Sequence, residues 1–147
     1  MLHFEGDRDF PLLPVNVWSK LSDARFLVQC IPDVESISVS EVAKVICTIR
    51  PGFAFIRGTL ELTVQVADAV PEKTVRLQLH TKGIGSTSDV EANLAVALQE
   101  DGTRVHWSAD IQNLGGLLKA VPQGLIKASA QKIIGDVLAA VEKQIAA

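Results

Sequence analysis

A chain of 147 residues with 48% hydrophobic and 21% charged side chains has material for one globular core and too little for two. At this length a folded chain buries roughly two thirds of the surface it exposes when unfolded, so neither a disulfide nor a structural metal is required. A net charge of -3, with Lys and Arg scattered singly, leaves no basic stripe for a phosphate backbone and excludes nucleic acid as a partner.

The opening Met1-Leu2-His3-Phe4-Glu5-Gly6-Asp7 carries acids where a secretory signal needs a basic and then an apolar region. No later stretch reaches the roughly 18 uninterrupted apolar residues of a membrane-spanning helix, so the expected location is the cytoplasm. Leu2 to Phe10 alternates weakly and predicts a first strand. Pro14, suited to the first helical position, opens a short helix in which Val17, Trp18 and Leu21 share a face. A second short helix through Ala24–Val28 must stop before Pro32, because the residue preceding a proline is pushed out of the helical region. Cys30 and Cys47 stand in apolar stretches without CxxC or Cys/His spacing and read as small buried hydrophobes in a reducing compartment.

From Val34 the period becomes two. The apolar rows are Val45, Cys47 and Ile49; Leu60, Leu62, Val64 and Val66; Val75, Leu77 and Leu79; Val90, Ala92, Leu94, Val96 and Leu98; and Val105, Trp107, Ala109 and Ile111. Polar residues such as Glu61, Gln78, His80, Arg104 and His106 fill the alternate positions, as in an antiparallel sheet covered on one side only. The cover is the C-terminal segment, where Ile126, Ala130, Ile133, Ile134, Val137, Leu138, Val141 and Ile145 recur at helical steps, with Lys127, Gln131, Lys132, Asp136, Glu142 and Lys143 opposite. Pro122 and Gly124 leave two starts open for this helix, one near Leu117 with a kink and one at Pro122. The predicted fold is α+β: a curved antiparallel sheet of about seven strands wrapped on a long C-terminal helix, with two short helices after the first strand, a helix-grip arrangement.

In such a meander alternate connections fall at the same end of the sheet. One end is polar: Ser40-Glu41, the Asp68–Lys73 turn and Glu100-Asp101-Gly102. The other gathers the Pro51–Gly58 segment, Gly83-Ile84-Gly85 and Leu114-Gly115-Gly116-Leu117-Leu118, and so sets Phe53, Phe55, Ile56, Ile84, Leu114 and Leu117 on one rim. Apolar side chains on loops either fold inward over the core or form the mouth of an interior space. In the second reading Phe53, Phe55, Ile56, Ile84 and Leu117 are the gate.

Phe4-Glu5-Gly6, then Val17-Trp18 with Leu21 and Asp23, Leu27 and Cys30-Ile31-Pro32, are followed later by Gly58, Gly102-Thr103-Arg104-Val105-His106-Trp107, Ala109-Asp110, Gly116-Leu117 and Leu125-Ile126. In this order and spacing they resemble the G-subunit family of carbon monoxide dehydrogenase, over nearly the whole chain. Two departures stand out: Asp33 replaces the glycine usual after the proline, and the membrane-associating tail of longer members is missing, which argues against direct anchoring. The resemblance implies membership of the helix-grip superfamily of START domains, the birch pollen allergen and polyketide cyclase-like proteins. It further implies a cavity for lipophilic molecules in an accessory of carbon monoxide dehydrogenase-type molybdenum hydroxylases, one that attaches the enzyme to the inner face of the membrane or delivers a quinone to it.

The residues support a cavity on their own terms, because the inward positions are rich in Val, Ala and Leu rather than large aromatics. Parity and helical phase turn Ile49, Leu62, Leu77, Leu94, Trp107 and Ile134 toward one space, and these are the expected ligand contacts within a single ligand-binding domain over residues 1–147. The expected partners are a lipophilic small molecule, subunits of a molybdenum hydroxylase and, transiently, a membrane surface. A cyclase- or hydrolase-like enzyme and a structural adaptor with a filled core remain as alternatives. Against an enzyme, His3, His80, His106, Glu91 and Asp110 have outward parity, and Ser86, Thr87 and Ser88 stand in no nucleophile motif. No catalytic residue, metal ligand or cofactor is expected.

Overall fold

The stretches with a period of two become seven strands of one antiparallel sheet in a computed structural model that describes residues 2–31, 33–50 and 58–146. These are β1 (Leu2–Phe10), β2 (Val34–Ser40), β3 (Lys44–Ile49), β4 (Leu60–Val70), β5 (Thr74–Gly83), β6 (Ser86–Gln99) and β7 (Gly102–Gly116). Strands β2 to β7 run as a meander and β1 pairs with β7, which gives the order β1-β7-β6-β5-β4-β3-β2. The helices are α1 (Pro14–Leu21), α2 (Ala24–Gln29) and α3 (Gln123–Ala146).

Local chemistry accounts for the helix ends. Pro14 holds the first position of α1, where a missing N–H costs nothing. Asp23 caps α2 by accepting from the Arg25 N–H at 2.9 Å, and the Arg25 guanidinium beside it holds its carboxyl below the usual range. Residues Leu117–Ala120 make one 3-10 turn, Val121 is extended as a residue before proline should be, and the Pro122 carbonyl accepts from Leu125 and Ile126 at 3.0 and 3.1 Å. The long helix therefore begins after Pro122, and the alternative of a kinked helix from Leu117 is excluded.

Two strands outrun their predicted lengths because bulges absorb a break in the alternation. In β4 the register shifts between Val66 and Asp68, so pairing continues to Val70 and the turn shrinks to residues 71–73. In β7 a shift at Gln112 carries the strand to Gly116, so Leu114-Gly115-Gly116 is strand rather than loop. A Cβ at Gly116 would collide with the Gly85 carbonyl, which explains a residue without a side chain there.

The core is three clusters. Under α1 and the end of α3, Val17, Leu21, Val75, Leu77, Leu94, Val105, Val141 and Ile145 pack together. Under α2, Ala24 and Val28 lie on Val45, Cys47, Leu62 and Val64. At the β1 edge, Phe4 and Ile111 meet Leu118 and Ile126. Trp18 Nε1 donates to the Thr74 carbonyl at 3.1 Å and the Thr103 hydroxyl donates to the Leu12 carbonyl at 2.6 Å, which fixes α1 over the polar-turn end of the sheet.

Candidate functional site

The inner face of the sheet is not equally covered. Cross-strand register places Leu77 beside Ala92, Leu79 beside Val90 and Thr81 beside Ser88, with Leu114 next to Ser88. Leu79, Thr81, Ser88, Val90, Ala92 and Leu114 are all half-buried, although β5 is the central strand and β6 its neighbour. In a filled core the central inward residues are the most protected. Here the protected ones, Val45, Val64, Val75 and Val105, flank the patch under α1 and α2. Ala130, Ile134 and Val137 of α3, packed against the clusters that border the patch, are half-buried as well. The patch runs along β5 and β6 to the Ile84-Gly85 turn.

The six expected contacts divide. Trp107 and Ile134 border the same cluster and are half-buried, and Ile49 is half-buried at the far side of the sheet. Leu62, Leu77 and Leu94 are only 4%, 6% and 9% exposed. Their inward parity is as expected; the first clusters with residues of α2 and the other two with residues of α1. Parity reports which way a side chain points and nothing about which helix lies above it. The alternation Leu79-Thr81 and Ser88-Val90-Ala92 carries the signal for the half-buried patch.

Two polar features on the inner face have no counterpart in the apolar pattern. The Thr81 and Ser88 hydroxyls hydrogen-bond to each other within the patch. At the opposite end of the seam, Arg8 occupies an inward position of β1, opposite Val105, and donates from Nε and Nη2 to Glu142 Oε2 at 2.9 and 2.7 Å. Glu142 is thus half-buried and faces β1, which corrects its assignment to the solvent side of the helix; Ile133, assigned inward, is exposed. Trp107 lies flat on Gly6, where a Cβ would come within 2.9 Å of Cζ2, so only glycine admits the ring in this position.

At the rim, Ile84 and Leu117 are 39% and 62% exposed, and the Leu117 N–H donates to the Gly85 carbonyl at 3.0 Å. Ile84 has a φ of 54°, a left-handed conformation that a β-branched residue rarely tolerates. The other expected gate residues, Phe53, Phe55 and Ile56, lie outside the described residues.

The outer face is ionic. His3 Nδ1 meets Asp110 Oδ1 at 2.5 Å and its Nε2 meets Glu5 Oε2 at 2.7 Å, contacts that raise its pKa above the ordinary value, Glu5 more than Asp110. His80 pairs with Asp89 at 2.6 Å and His106 with Asp7 at 2.9 Å. Arg104 holds the Asp9 carboxyl below its usual range. The His80–Asp89 pair borders a shallow hollow of about 220 Å³ with Thr63, Gln65, Gln78 and Asn113. Among the described residues no hydroxyl or thiol bonds to Nε2 of His80, so the pair lacks the nucleophile of a triad. Cys30 and Cys47 are free and buried, and burial pushes both thiols up. No group of three metal-binding side chains occurs among the described residues, and no helix among them is long and apolar enough to cross a membrane.

Comparison with known proteins places this geometry. The family model for the G-subunit of carbon monoxide dehydrogenase (CoxG) matches residues 11–146. The fold is similar to that of a conserved protein from Geobacillus kaustophilus, with 23% identity, 99% of this chain and 95% of that one covered, and a TM-score of 0.86. It is also similar to a START superfamily protein from Mycobacterium smegmatis (11% identity, 97% and 96% covered, TM-score 0.69). A Thermus thermophilus protein aligns at 16% identity over 98% and 97% of the two chains, with a TM-score of 0.67. No curated protein shows significant sequence similarity.

Proposed function

The chain belongs to the CoxG family, named for carbon monoxide dehydrogenase, and we propose that it acts there as a non-catalytic carrier of a lipophilic small molecule, with residues 1–147 as one ligand-binding domain. The observation that carries the reading is the half-buried apolar patch of Leu79, Val90, Ala92 and Leu114 beneath Ile134 and Val137. Apolar surface left accessible inside a helix-grip fold is suited to an apolar guest, and the absence of charge on the inward rows of β3 to β7 keeps the site dry. Trp107 and Ile134 wall the chamber toward β1, and Ile49 marks its other side. The cargo is a quinone or a molecule with a similar tail, and the recipient is a molybdenum hydroxylase of the carbon monoxide dehydrogenase type.

The rim residues Ile84 and Leu117, together with Phe53, Phe55 and Ile56, form the gate in this reading. Each apolar side chain buried in a bilayer contributes roughly 1.5–3 kcal/mol, enough for transient contact while cargo is exchanged and too little for permanent anchoring.

Ala92→Trp tests the chamber, because the indole would project from the patch beside Leu77 and Ala109. Native mass spectrometry of the parent should find a co-purified lipophilic molecule, and the variant should lose it while keeping its circular dichroism spectrum and a cooperative melt. A variant that unfolds as an overpacked core does would show that the space is filled, and the adaptor reading would replace the carrier.

A further inference from the structure

On the chamber floor Thr81 and Ser88 are a polar pair in a patch otherwise made of Leu79, Val90, Ala92 and Leu114. Two hydroxyls carry two O–H donors. One is consumed in the bond between them, and among the described residues the other has no acceptor. Both residues are half-buried, so neither is sealed from a guest. A spare donor inside an apolar space calls for an acceptor oxygen.

Charge narrows the class further. The inward rows of β3 to β7 hold no ionisable side chain, and an ion brought there would be desolvated without a partner. The one inward charge on β1, Arg8, lies toward the polar-turn end and is already engaged by Glu142. From the row of Ser88 to the row of Ala92 is four residues of strand, or about 14 Å. A ligand held at Thr81 and Ser88 therefore has its head near the rim and this apolar length of the patch behind it.

We propose that Thr81 and Ser88 form the polar anchor of the chamber, donating one hydrogen bond to an uncharged acceptor oxygen on the head of a long-chain ligand, which thus binds head toward the rim and tail inward. The proposal rests on the carrier reading. It assigns the hydroxyl pair the choice between ligands: a neutral carbonyl, ether or hydroxyl is accepted, a bare hydrocarbon is held less well, and a carboxylate is rejected.

Displacement of the neutral dye Nile red from the full chain by methyl oleate, 1-octadecene and oleate tests it, with the same probes applied to Thr81→Val combined with Ser88→Ala. The ester should displace at about three- to tenfold lower concentration than the alkene, the worth of one hydrogen bond, and oleate should be the poorest of the three. In the double variant the ester should fall to the level of the alkene, whose own displacement stays unchanged. Equal displacement by ester and alkene in the parent, equal weakening of both in the variant, or tightest binding by oleate would overturn the anchor and leave the chamber standing. Displacement by none of the three would overturn the carrier reading with it. Should the double variant melt early, the ester–alkene gap and the rank of oleate in the parent still decide the proposal.

Discussion

A methyl group added at Gly6 tests whether the seam above Trp107 is open. A Cβ built at this position lies 2.9 Å from Cζ2 and 3.1 Å from Cε2 of the indole, so the ring must retreat toward α3 until it reaches the 3.4 Å at which ordinary contact begins. Were Ile134 and Val137 packed hard against the far side of the ring, that retreat would carry the usual cost of overpacking, about 1–3 kcal/mol. Trp107 is itself only half-buried, so the ring is not enclosed on every side. Alanine also restricts the unfolded chain, which favours the variant by about 0.4–1 kcal/mol at an extended position. Gly6→Ala should therefore change stability by less than about 1 kcal/mol, or no more than about 4 °C in Tm for a chain of this size. Thermal and urea melts followed by circular dichroism read the stability, and a changed Trp emission in the native state reports the displaced ring. A loss above about 2 kcal/mol with unchanged native emission would mean the ring has nowhere to go, and the reasoning about the seam would fail.

Ile84→Asn should raise stability by about 1 kcal/mol, because asparagine accepts the left-handed backbone at this turn and isoleucine does not; a lower Tm would show that the Ile84 side chain supports the core. The raised pKa of His3 predicts a stabilising contribution that is fully present below the unfolded value of 6.5 and is lost as pH rises through the folded pKa. Melts between pH 5 and about 9 should show this decline and His3→Ala should remove it; an identical pH profile in the variant would contradict the ion contacts with Glu5 and Asp110.

The sheet is legible in the sequence because five apolar rows keep a period of two, and parity correctly assigns the outward histidines and the inward Trp107. The weak alternation of the first strand has a cause that only the structure supplies: two of its inward positions are Gly6, which yields its space to an indole, and Arg8, which reaches α3. Glu142 is misassigned for the same reason, since a helical wheel sorts residues by polarity and this glutamate is turned inward by a partner 134 positions away. The exposed apolar Ile84 and Leu117 are legible in the sequence, whereas the extent of β7 is not, because a bulge at Gln112 resets the alternation that marks a strand. Leu62, Leu77 and Leu94, expected to meet a ligand, are buried in clusters with residues of α1 and α2, long-range packing that no local pattern encodes.

The pairing of the first strand with the last has a consequence for how the chain is made. Strands β2 to β7 join in sequence order and can form as they are synthesised, whereas β1 has no partner until β7 exists. Asp9 and Gln99, bonded across that edge, are 90 residues apart, and closing a loop of this length costs about 2.5 kcal/mol more than closing a hairpin of about five. Until then the inward side of the meander lies bare along β7, and Phe4 and Phe10 have nothing to cover. The nascent chain must therefore hold β1, with Phe4 and Phe10 uncovered, while residues 11–102 are translated, which makes β1 the point at which a chaperone or an aggregation pathway meets this fold.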